Sequence, residues 1–285
     1  LIILIALWKT LILLPRTFQI VISNFIGSLI YLIPLKRNKY SKANIELCFP
    51  DKSEAERKRI YKKNILLSGH ILSDTGIAWF WSNKRIKKNI KYEINGLDKL
   101  LAEQSSNRGV LLFFKHSMHL EIDARILGMH AEIYGVERKH NSRYFQSIQK
   151  RGRLKSMIDV VDRNNTLRFI KWLKNGKTVL YAPDQDYGMN KSKVIKFFGH
   201  PAATVAATYK IIQKTKCKTF FLNSYIKNKK LFLDIEELNS NNSEEISYLN
   251  NLNKFIENKI KLNPHEYLWQ HRRFKSTLGK KNIYK

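Results

Sequence analysis

The sequence predicts an α/β fold in which helices flank a β-sheet and polar groups collect where strands end. Short apolar runs of strand character, such as Val110–Phe114 and Thr178–Ala182, alternate along the chain with segments of helical periodicity. Polar clusters that contain His116 and Asp184 directly follow these two runs. Because loops at the carboxyl edge of an open α/β sheet line one cleft, the two clusters are expected to converge there.

The N-terminal segment, residues 1–37, is predicted to anchor the chain to a membrane. Residues 1–14 and 18–35 form two apolar runs, and basic residues follow the second run directly. The positive-inside rule then places that end on the cytoplasmic side. The alternative is a buried apolar helical hairpin of a soluble protein.

The second apolar run is less apolar than an ideal membrane-spanning helix. Its residues Gln19, Ser23 and Gly27 fall on one helical face. That face allows the helix to lie against the protein or in the membrane interface.

The rest of the chain, residues 38–285, is predicted to form one α/β domain. A capping box, in which Ser53 and Glu56 bond each other's backbone N–H groups, predicts a helix that opens at Ser53. Further helices are predicted at Asn64–Trp81, Leu120–Met129, Phe145–Lys150, Thr166–Asn175, Ala203–Gln213 and Ser243–Leu262. Strands are predicted at Val110–Phe114, Ile133–Val136, Thr178–Ala182, Lys218–Tyr225 and Leu231–Glu236.

The charge balance indicates an anionic partner. The chain has 52 Lys and Arg residues against 23 Asp and Glu residues, a formal net charge of +29. Nucleic acid, anionic lipid and an acidic carrier protein would all suit such a surface. No nucleic-acid-binding motif is recognisable and the N-terminus favours lipid, so no nucleic-acid partner is expected. The separated cysteines Cys48 and Cys217 fit a reducing cytoplasmic setting.

The segment from His116 to Glu121 holds histidines and a carboxylate directly after a predicted strand. An imidazole accepts a proton near neutral pH and a carboxylate can fix its tautomer, so such a pair can activate a hydroxyl group. Five residues of a straight helix turn through about 500°, which would leave the two side chains about 140° apart. The pair can therefore meet only if His116 lies outside the helix, in the turn that feeds it.

Other interpretations use the same segment. His119 and Asp123 are four residues apart and would share one helical face. His116, His119, Glu121 and Asp123 could instead hold a metal ion, because imidazole and carboxylate suit zinc or iron. An ordinary structural histidine is the third interpretation, and spacing alone does not choose among them.

Two arginine pairs are candidate anion clamps. Arg151 and Arg153 flank Gly152, and Arg272 and Arg273 follow the last predicted helix. Guanidinium forks bind phosphate or carboxylate groups bidentately. The alternatives are a solvated basic turn for the first pair and packing of the C-terminal tail for the second.

Asp184 and Asp186 form an acidic loop after the predicted strand Thr178–Ala182. Their carboxylates could bind a metal, orient an arginine or accept a hydrogen bond from a sugar hydroxyl. A simple turn stabilised by aspartate side chains is the alternative.

Six motifs in order along the chain carry a family resemblance: Glu46–Pro50, Trp79–Trp81, His116 with Glu121, Arg151–Arg153, Ala182–Gly188 and Trp269–Phe274. The ordered set resembles the lipid A biosynthesis late acyltransferases, and within them most of all the lauroyl acyltransferase branch. The resemblance covers nearly the whole chain. It implies a fold like that of glycerolipid acyltransferases, a mixed sheet flanked by helices, with an N-terminal apolar membrane helix.

The resemblance implies an O-acyltransferase of lipopolysaccharide biosynthesis. Such an enzyme transfers a laurate-like acyl chain from acyl carrier protein to a hydroxyl of the Kdo-bearing lipid A precursor, a phosphorylated glycolipid. The implied location is the bacterial inner membrane, with the catalytic domain on its cytoplasmic face. No cofactor and no metal are expected.

The resemblance also implies roles for single residues. His116 would be the general base and Glu121 would orient its imidazole, which leaves His119 and Asp123 without a required role. Arg153 and Asp184 match active-site positions of the family. The residues that would bind substrate are Arg151, Arg153, Asp184, Asp186, Arg272 and Arg273.

Two other functions are weighed against this one. A glycerophospholipid acyltransferase would share the His-x4-acid motif but use another acceptor. A basic membrane-peripheral protein that binds anionic lipid or RNA would not be an enzyme at all, and its function would not depend on His116.

Overall fold

The computed structural model of the protein describes residues 2–238 and 244–284. Its centre is a β-sheet. The strands of the sheet are β1 Tyr92–Asn95, β2 Val110–Phe114, β3 Tyr134–Glu137, β4 Asp159–Asp162, β5 Thr178–Tyr181, β8 Lys218–Lys227 and β9 Lys230–Glu237, and the hairpin β6 Ser192–Phe197 and β7 His200–Val205 lies apart from it. The order across the sheet is β1-β9-β8-β2-β5-β3-β4. Only β8 and β9 pair antiparallel, so the sheet is mixed, as expected.

Helices flank the sheet, which confirms the predicted fold class. The α-helices are α1 Ile2–Leu13, α2 Arg16–Leu32, α3 Lys36–Cys48, α4 Glu54–Ser68, α5 Ile71–Phe80, α6 Asn83–Asn89, α7 Leu97–Ser105, α8 Leu120–Leu127, α9 Arg143–Arg153, α10 Thr166–Lys174, α11 Ala207–Thr215, α12 Glu245–Leu262 and α13 Lys280–Ile283. Short 3-10 turns occur at Met189–Lys191 and Pro264–Glu266, and a π-helical turn at Lys275–Gly279.

The central strand β2 is buried on both faces because its side chains alternate between two apolar layers. Val110, Leu112 and Phe114 pack with residues of α1, α5 and α8 on one face. Leu111 and Phe113 pack with residues of α10, α11 and α12 on the other face. The continuous apolar run is therefore the pattern of a strand covered on both sides.

The second N-terminal helix, α2, presents its polar face to the protein. Gln19, Ser23 and Gly27 are the buried residues of α2, as their common face predicted. The Gln19 side chain donates to the carbonyls of Ile12 and Leu14 at 3.0 and 2.8 Å, and Ser23 Oγ lies 2.9 Å from Ser73 Oγ. Large apolar side chains of α1 and α2 point outward instead.

No single helix in the described part of the chain is long and apolar enough to cross a membrane. Helices α2 and α3 would reach that length and composition only as a pair, and they meet at a bend of 81°.

Several predicted boundaries are wrong. The helix predicted at Asn64–Trp81 is two helices, α4 and α5, separated by Gly69 and His70. The helix predicted from Ala203 begins at Ala207, because residues 203–205 belong to β7 and pair with β6. The start predicted for the last helix, Ser243, lies outside the described residues.

The strands β1, β4, β6 and β7 have no counterpart in the prediction. Two of them, Tyr92–Asn95 and Asp159–Asp162, have only four residues and carry polar ends. A run this short gives too few residues for an alternating pattern to stand out. The capping box at Ser53 is present, with Ser53 N donating to Glu56 Oε2 at 2.9 Å and Glu56 N to Ser53 Oγ at 3.3 Å.

Candidate active site

His116 lies in the turn between β2 and α8, outside the helix, as predicted from the strand before it and the helix after it. The turn is fixed from the C-terminal side, where Met118 N donates to Glu266 O at 2.8 Å and Leu268 N donates to His116 O at 2.9 Å. Two backbone hydrogen bonds to the C-terminal segment therefore fix the position of the turn, independently of the contacts of the His116 side chain.

Asp184 holds the imidazole of His116. The carboxylate accepts from His116 N through Oδ2 at 2.8 Å, and its Oδ1 lies 2.6 Å from His116 Nδ1. An ionised carboxylate can only accept hydrogen bonds, so Nδ1 carries a proton, and in the neutral imidazole the lone pair is then on Nε2. Burial alone would raise the pKa of Asp184, but the adjoining His116 lowers this pKa to about 2.

The expectation that Glu121 orients His116 is wrong, and Asp184, expected to bind substrate, has that place instead. Glu121 accepts from Trp79 Nε1 at 2.7 Å and from Arg153 Nη2 at 2.5 Å. Burial opposes the ionisation of Glu121, but the positive charge and hydrogen bonds of Arg153 lower its pKa below the usual value. Glu121 and His116 nevertheless line one cavity.

Arg153 bridges two carboxylates, those of Glu121 and Glu137. Its Nη1 donates to Glu137 Oε2 at 2.7 Å. Arg151–Arg153 is the last turn of α9, which continues past the predicted helix end at Lys150. Gly152 permits a close approach of α9 to α5, because a Cβ atom there would lie 2.3 Å from Trp79 Cγ. This packing aligns Arg153 and Trp79 on the same carboxylate.

The inner pair, His119 and Asp123, is buried away from the cavity. His119 Nδ1 lies 2.7 Å from Asp123 Oδ1, and Nε2 lies 3.3 Å from Glu266 Oε2. Although burial alone would lower the pKa of His119, the two carboxylates raise it to about 10. The Oδ2 atom of Asp123 accepts from both Ser117 and Ser224 at 2.7 Å. This pair therefore ties structural elements together.

A cavity of about 750 Å³ opens above the carboxyl ends of β2, β3, β4 and β5. The apolar residues of its lining include Phe114, Leu120, Ala124, Met157 and Leu180, and we call the part of the cavity that they line the apolar chamber. The polar residues of its wall include His116, Glu121, Arg153 and His271. The cavity thus joins an apolar chamber to the imidazole of His116, as the convergence of loops at one sheet edge predicted.

Three arginines expected to bind substrate do not line this cavity. Arg151 is exposed on α9, and Arg272 lies over the ring of Tyr40 at 5.2 Å. Arg273 is buried and donates to Ala203 O at 2.5 Å and to Thr204 Oγ1 at 3.0 Å. These interactions hold the C-terminal segment in place.

Asp186 organises its own loop. Its carboxylate accepts from Gly188 N, from Ser276 N and from Ser276 Oγ at 2.8 to 2.9 Å. Asp186 also lines the cavity, and its backbone N–H donates to His271 Nε2 at 3.0 Å.

His271 is a cavity residue that the sequence interpretation missed. It belongs to the Trp269–Phe274 motif, but only the arginines of that motif were given a role. Burial, and then the electrostatic effects of the adjacent His116 and Lys275, lower the pKa of His271 to about 3. The ring is therefore neutral, and its Nε2 lone pair is already occupied by the Asp186 N–H.

Four basic side chains of the cavity wall were also missed: Arg138, Arg163, Lys191 and Lys275. Arg138 and Arg163 directly follow β3 and β4. Arg138 could have been found from the sequence, because it follows a predicted strand. Arg163 could not, because the strand before it, β4, was not predicted.

Comparison with known proteins shows that the chain is similar to one family of bacterial enzymes. The model of the family described as bacterial lipid A biosynthesis acyltransferase matches residues 1–276. A lipid A biosynthesis palmitoleoyltransferase of Escherichia coli K12 is 34% identical over 257 residues, covering 87% of this chain and 82% of the relative. A lauroyltransferase of the same organism is 34% identical over 256 residues, with coverages of 88% and 83%. A lipid A biosynthesis acyltransferase of Haemophilus influenzae is 32% identical over 284 residues, with coverages of 95% and 89%.

Proposed function

The chain belongs to the bacterial lipid A biosynthesis acyltransferases, and we propose that it transfers a fatty acyl chain from acyl carrier protein to a hydroxyl of the Kdo-bearing lipid A precursor, with His116 as general base. As a member of this family it is an acyltransferase with a lipid A precursor as acceptor. Membership of this family excludes the alternative of a non-enzymatic lipid- or RNA-binding protein. It also excludes the alternative of a glycerophospholipid acyltransferase, because the acceptor is a lipid A precursor.

The observation that carries the proposal is the state of the His116 imidazole. Asp184 holds the protonated Nδ1 at 2.6 Å, and Nε2 forms no hydrogen bond with any described residue. The ring lines the cavity. A base with a fixed tautomer and a free lone pair beside an apolar chamber suits an alcohol that must be deprotonated next to a fatty acyl group.

The reaction follows from these positions. His116 Nε2 takes the proton of the acceptor hydroxyl while the oxygen attacks the thioester carbonyl carbon. The tetrahedral intermediate collapses, the C–S bond breaks, and the imidazolium returns its proton to the departing thiolate. The products are an ester and a free thiol, and no acyl-enzyme is formed. Asp184 stabilises the imidazolium in the interval, as a carboxylate does in catalytic triads.

Glu121 has a separate part in this proposal. Its carboxylate lines the cavity with His116 but is bonded to Trp79 and Arg153. The hydrogen bonds of Glu121 hold Arg153 in place in the cavity wall. The negative charge of Glu121 also favours the imidazolium that His116 forms in the same cavity. We retain His116 and Glu121 as the catalytic pair, with Asp184 added as the residue that orients the base.

A laurate-like chain is proposed for the donor, and the apolar chamber supports a fatty acyl group in general. Relatives named for lauroyl and for palmitoleoyl transfer are equally similar, at 34% identity. Identity therefore does not select the chain length. A donor on acyl carrier protein is supported by the net charge of +29, because such a carrier is acidic.

The proposed location is the cytoplasmic face of the bacterial inner membrane. The support is the apolar outer face of α1 and α2, followed by the basic residues Lys36, Arg37 and Lys39. Basic residues beside an apolar anchor are attracted to the anionic cytoplasmic leaflet.

Mass spectrometry of the product tests the proposal. The purified protein is incubated with the tetra-acylated, Kdo-bearing precursor and with lauroyl, myristoyl or palmitoleoyl carrier protein in turn. We expect one added acyl group, and we expect His116→Ala to lower the rate by about 10²–10⁴-fold, the usual contribution of general-base catalysis. His130→Ala is the matched control, since His130 bonds Tyr92 outside the cavity. Wild-type rates in His116→Ala would overturn the mechanism.

A further inference from the structure

Four cations from distant parts of the chain converge on the cavity that contains His116. Arg138 follows β3, Arg163 follows β4, Lys191 ends the 3-10 turn after β5, and Lys275 begins the C-terminal π-helical turn. We call these four residues the cation rim. Arg138 and Lys191 are exposed, and Arg163 and Lys275 are partly buried.

None of the four forms a salt bridge with a carboxylate in the described part of the chain. Lys191 Nζ lies 3.5 Å from Asn164 Oδ1, and the Arg163 guanidinium lies 4.2 Å from the centre of the Tyr187 ring. These are neutral partners. The positive charge of the rim is therefore not compensated by the protein.

The acidic side chains of the cavity wall are already engaged. Glu121 and Glu137 both bind Arg153, at 2.5 and 2.7 Å. Asp186 accepts from the backbone of Gly188 and from Ser276. These carboxylates thus all have hydrogen-bond donors within the protein, whereas the rim cations have no carboxylate partner among the described residues.

A basic side chain without a carboxylate partner is common in this chain, because 52 Lys and Arg residues face only 23 Asp and Glu residues. What distinguishes the rim is its position. Its four cations come from separate segments and line the cavity of His116, at the carboxyl edge where an α/β sheet binds ligands. A cluster of cations without carboxylate partners is complementary to an anion of more than one charge.

We propose that the cation rim binds a phosphate group of a substrate whose reacting end lies at His116. Arginine forks and lysine ammonium groups are the side chains that bind phosphate oxygens in proteins. The inference rests on the proposed function, since both proposed substrates carry phosphate: the donor in its phosphopantetheine arm, and the acceptor on its sugar headgroup.

The test removes three of the four charges in one variant, Arg138→Gln with Lys191→Gln and Lys275→Gln. Arg163 is kept because it packs on Tyr187. The control loses the same charge from exposed residues outside the cavity, by Lys99→Gln with Lys210→Gln and Lys254→Gln. Any general effect of net charge on the membrane or the carrier protein is then common to both variants.

Kinetics with matched substrates identify the source of the phosphate. We expect kcat/KM of the rim variant to fall about 10- to 100-fold, as for the loss of charge-assisted hydrogen bonds, and the control to keep the wild-type value. If the rim binds the donor, the loss disappears with an acyl-N-acetylcysteamine thioester, which has no phosphate. If the rim binds the acceptor, the loss disappears with a phosphatase-treated precursor. A loss that persists with both phosphate-free substrates, or no loss at all, overturns the proposal.

A binding measurement separates this inference from the proposed function. Thermal unfolding is followed in 4′-phosphopantetheine or glucose 1-phosphate, with pantetheine and glucose as phosphate-free controls. A phosphate-dependent rise in Tm in the wild type and in the control variant, absent from the rim variant, supports the site even if no acyl product forms with any donor. Equal shifts in all three proteins, or none in the wild type, overturn the site whatever the activity.

Discussion

A neutral imidazole carries one proton, and the partner of one ring nitrogen decides what the other nitrogen can do. In His116 the protonated Nδ1 faces Asp184 and the Nε2 lone pair is free. In His271 the Nε2 lone pair accepts the Asp186 N–H at 3.0 Å, and its pKa is lowered to about 3 by burial and then by the electrostatic effects of the adjacent His116 and Lys275. Two histidines of one cavity are therefore not equivalent, and only His116 can accept a proton from a substrate.

Asp184→Asn tests this arrangement. The amide keeps the size of the side chain but neither fixes the Nδ1 proton nor stabilises the imidazolium. We expect kcat to fall about 10²–10⁴-fold with little change in KM, because the loss acts on the base and not on substrate binding. Steady-state kinetics give both constants, and circular dichroism checks the fold.

The control for Asp184→Asn is Asp98→Asn, an exposed carboxylate of α7. It should leave both constants unchanged. An unchanged kcat in Asp184→Asn would mean that some other group orients His116.

At the scale of elements, α2 has its polar face inside and its apolar face outside. Gly27 lets the helix approach α4 closely, because a Cβ atom at this position would lie 2.2 Å from the carbonyl oxygen of Leu66. Gln19 and Ser23 bond groups of α1 and α5. On the outer face Val21 and Phe25 are 65% and 62% exposed. The apolar residues of this helix thus form an exposed surface, which a membrane or a partner would cover.

Charges on the outer face of α2 test membrane attachment. We expect Val21→Glu with Phe25→Glu to prevent flotation with vesicles that contain anionic phospholipid, because two carboxylates would enter the headgroup–acyl boundary. The fold should persist, since neither side chain is buried. Flotation on a density gradient measures the bound fraction.

Leu262→Glu is the control, because Leu262 is equally exposed, at 66%, but lies at the end of α12. It should float like the wild type. Continued flotation of the α2 variant would contradict attachment through this helix.

At the scale of the whole molecule, a buried polar cluster joins the turn that carries His116 to β8 and to the C-terminal segment. His119 contacts Asp123 and Glu266, and Asp123 also binds Ser224 of β8. Lys115 Nζ donates to Asn223 Oδ1 and Ser224 O at 2.8 Å. Burial lowers the pKa of Lys115 to about 8, even though nearby carboxylates oppose the shift. The position of His116 thus depends on segments far apart in sequence.

His119→Gln tests this cluster through its pH dependence. The pKa of His119 is raised to about 10 in the folded protein, above the usual value near 6.5. The ion pairs therefore add stability that is complete below about pH 6.5 and lost as the pH rises through about 10. We expect the variant to be less stable by about 3 kcal/mol at pH 6, and the difference to shrink toward pH 10.

Urea unfolding of both proteins at pH 6, 8 and 10 measures this difference. A difference that stays constant across the range would show that His119 contributes no charge to the cluster.

Much of the architecture followed from local pattern. The apolar run of β2, the capping box at Ser53 and the buried face of α2 were read correctly because each depends on neighbours within a few residues. The four-residue strands β1 and β4 were missed, since so short a run has no period of its own. The strand residues 203–205 were assigned to a helix because their pairing with β6 is a contact between segments, which local propensity does not contain.

The sequence by itself determined that His116 stands in a turn at the end of a strand, that the Asp184 loop shares its sheet edge, and that the chain resembles the lipid A acyltransferases. Only the tertiary structure decided the partners: Asp184 for His116, Arg153 for Glu121, and, within residues 2–238 and 244–284, no carboxylate for the four cations of the rim. The reason is geometric. Spacing along a chain fixes which side chains share a face of one element, but a hydrogen bond between loops depends on how separate strands are ordered in the sheet, here β2 beside β5 and β5 beside β3.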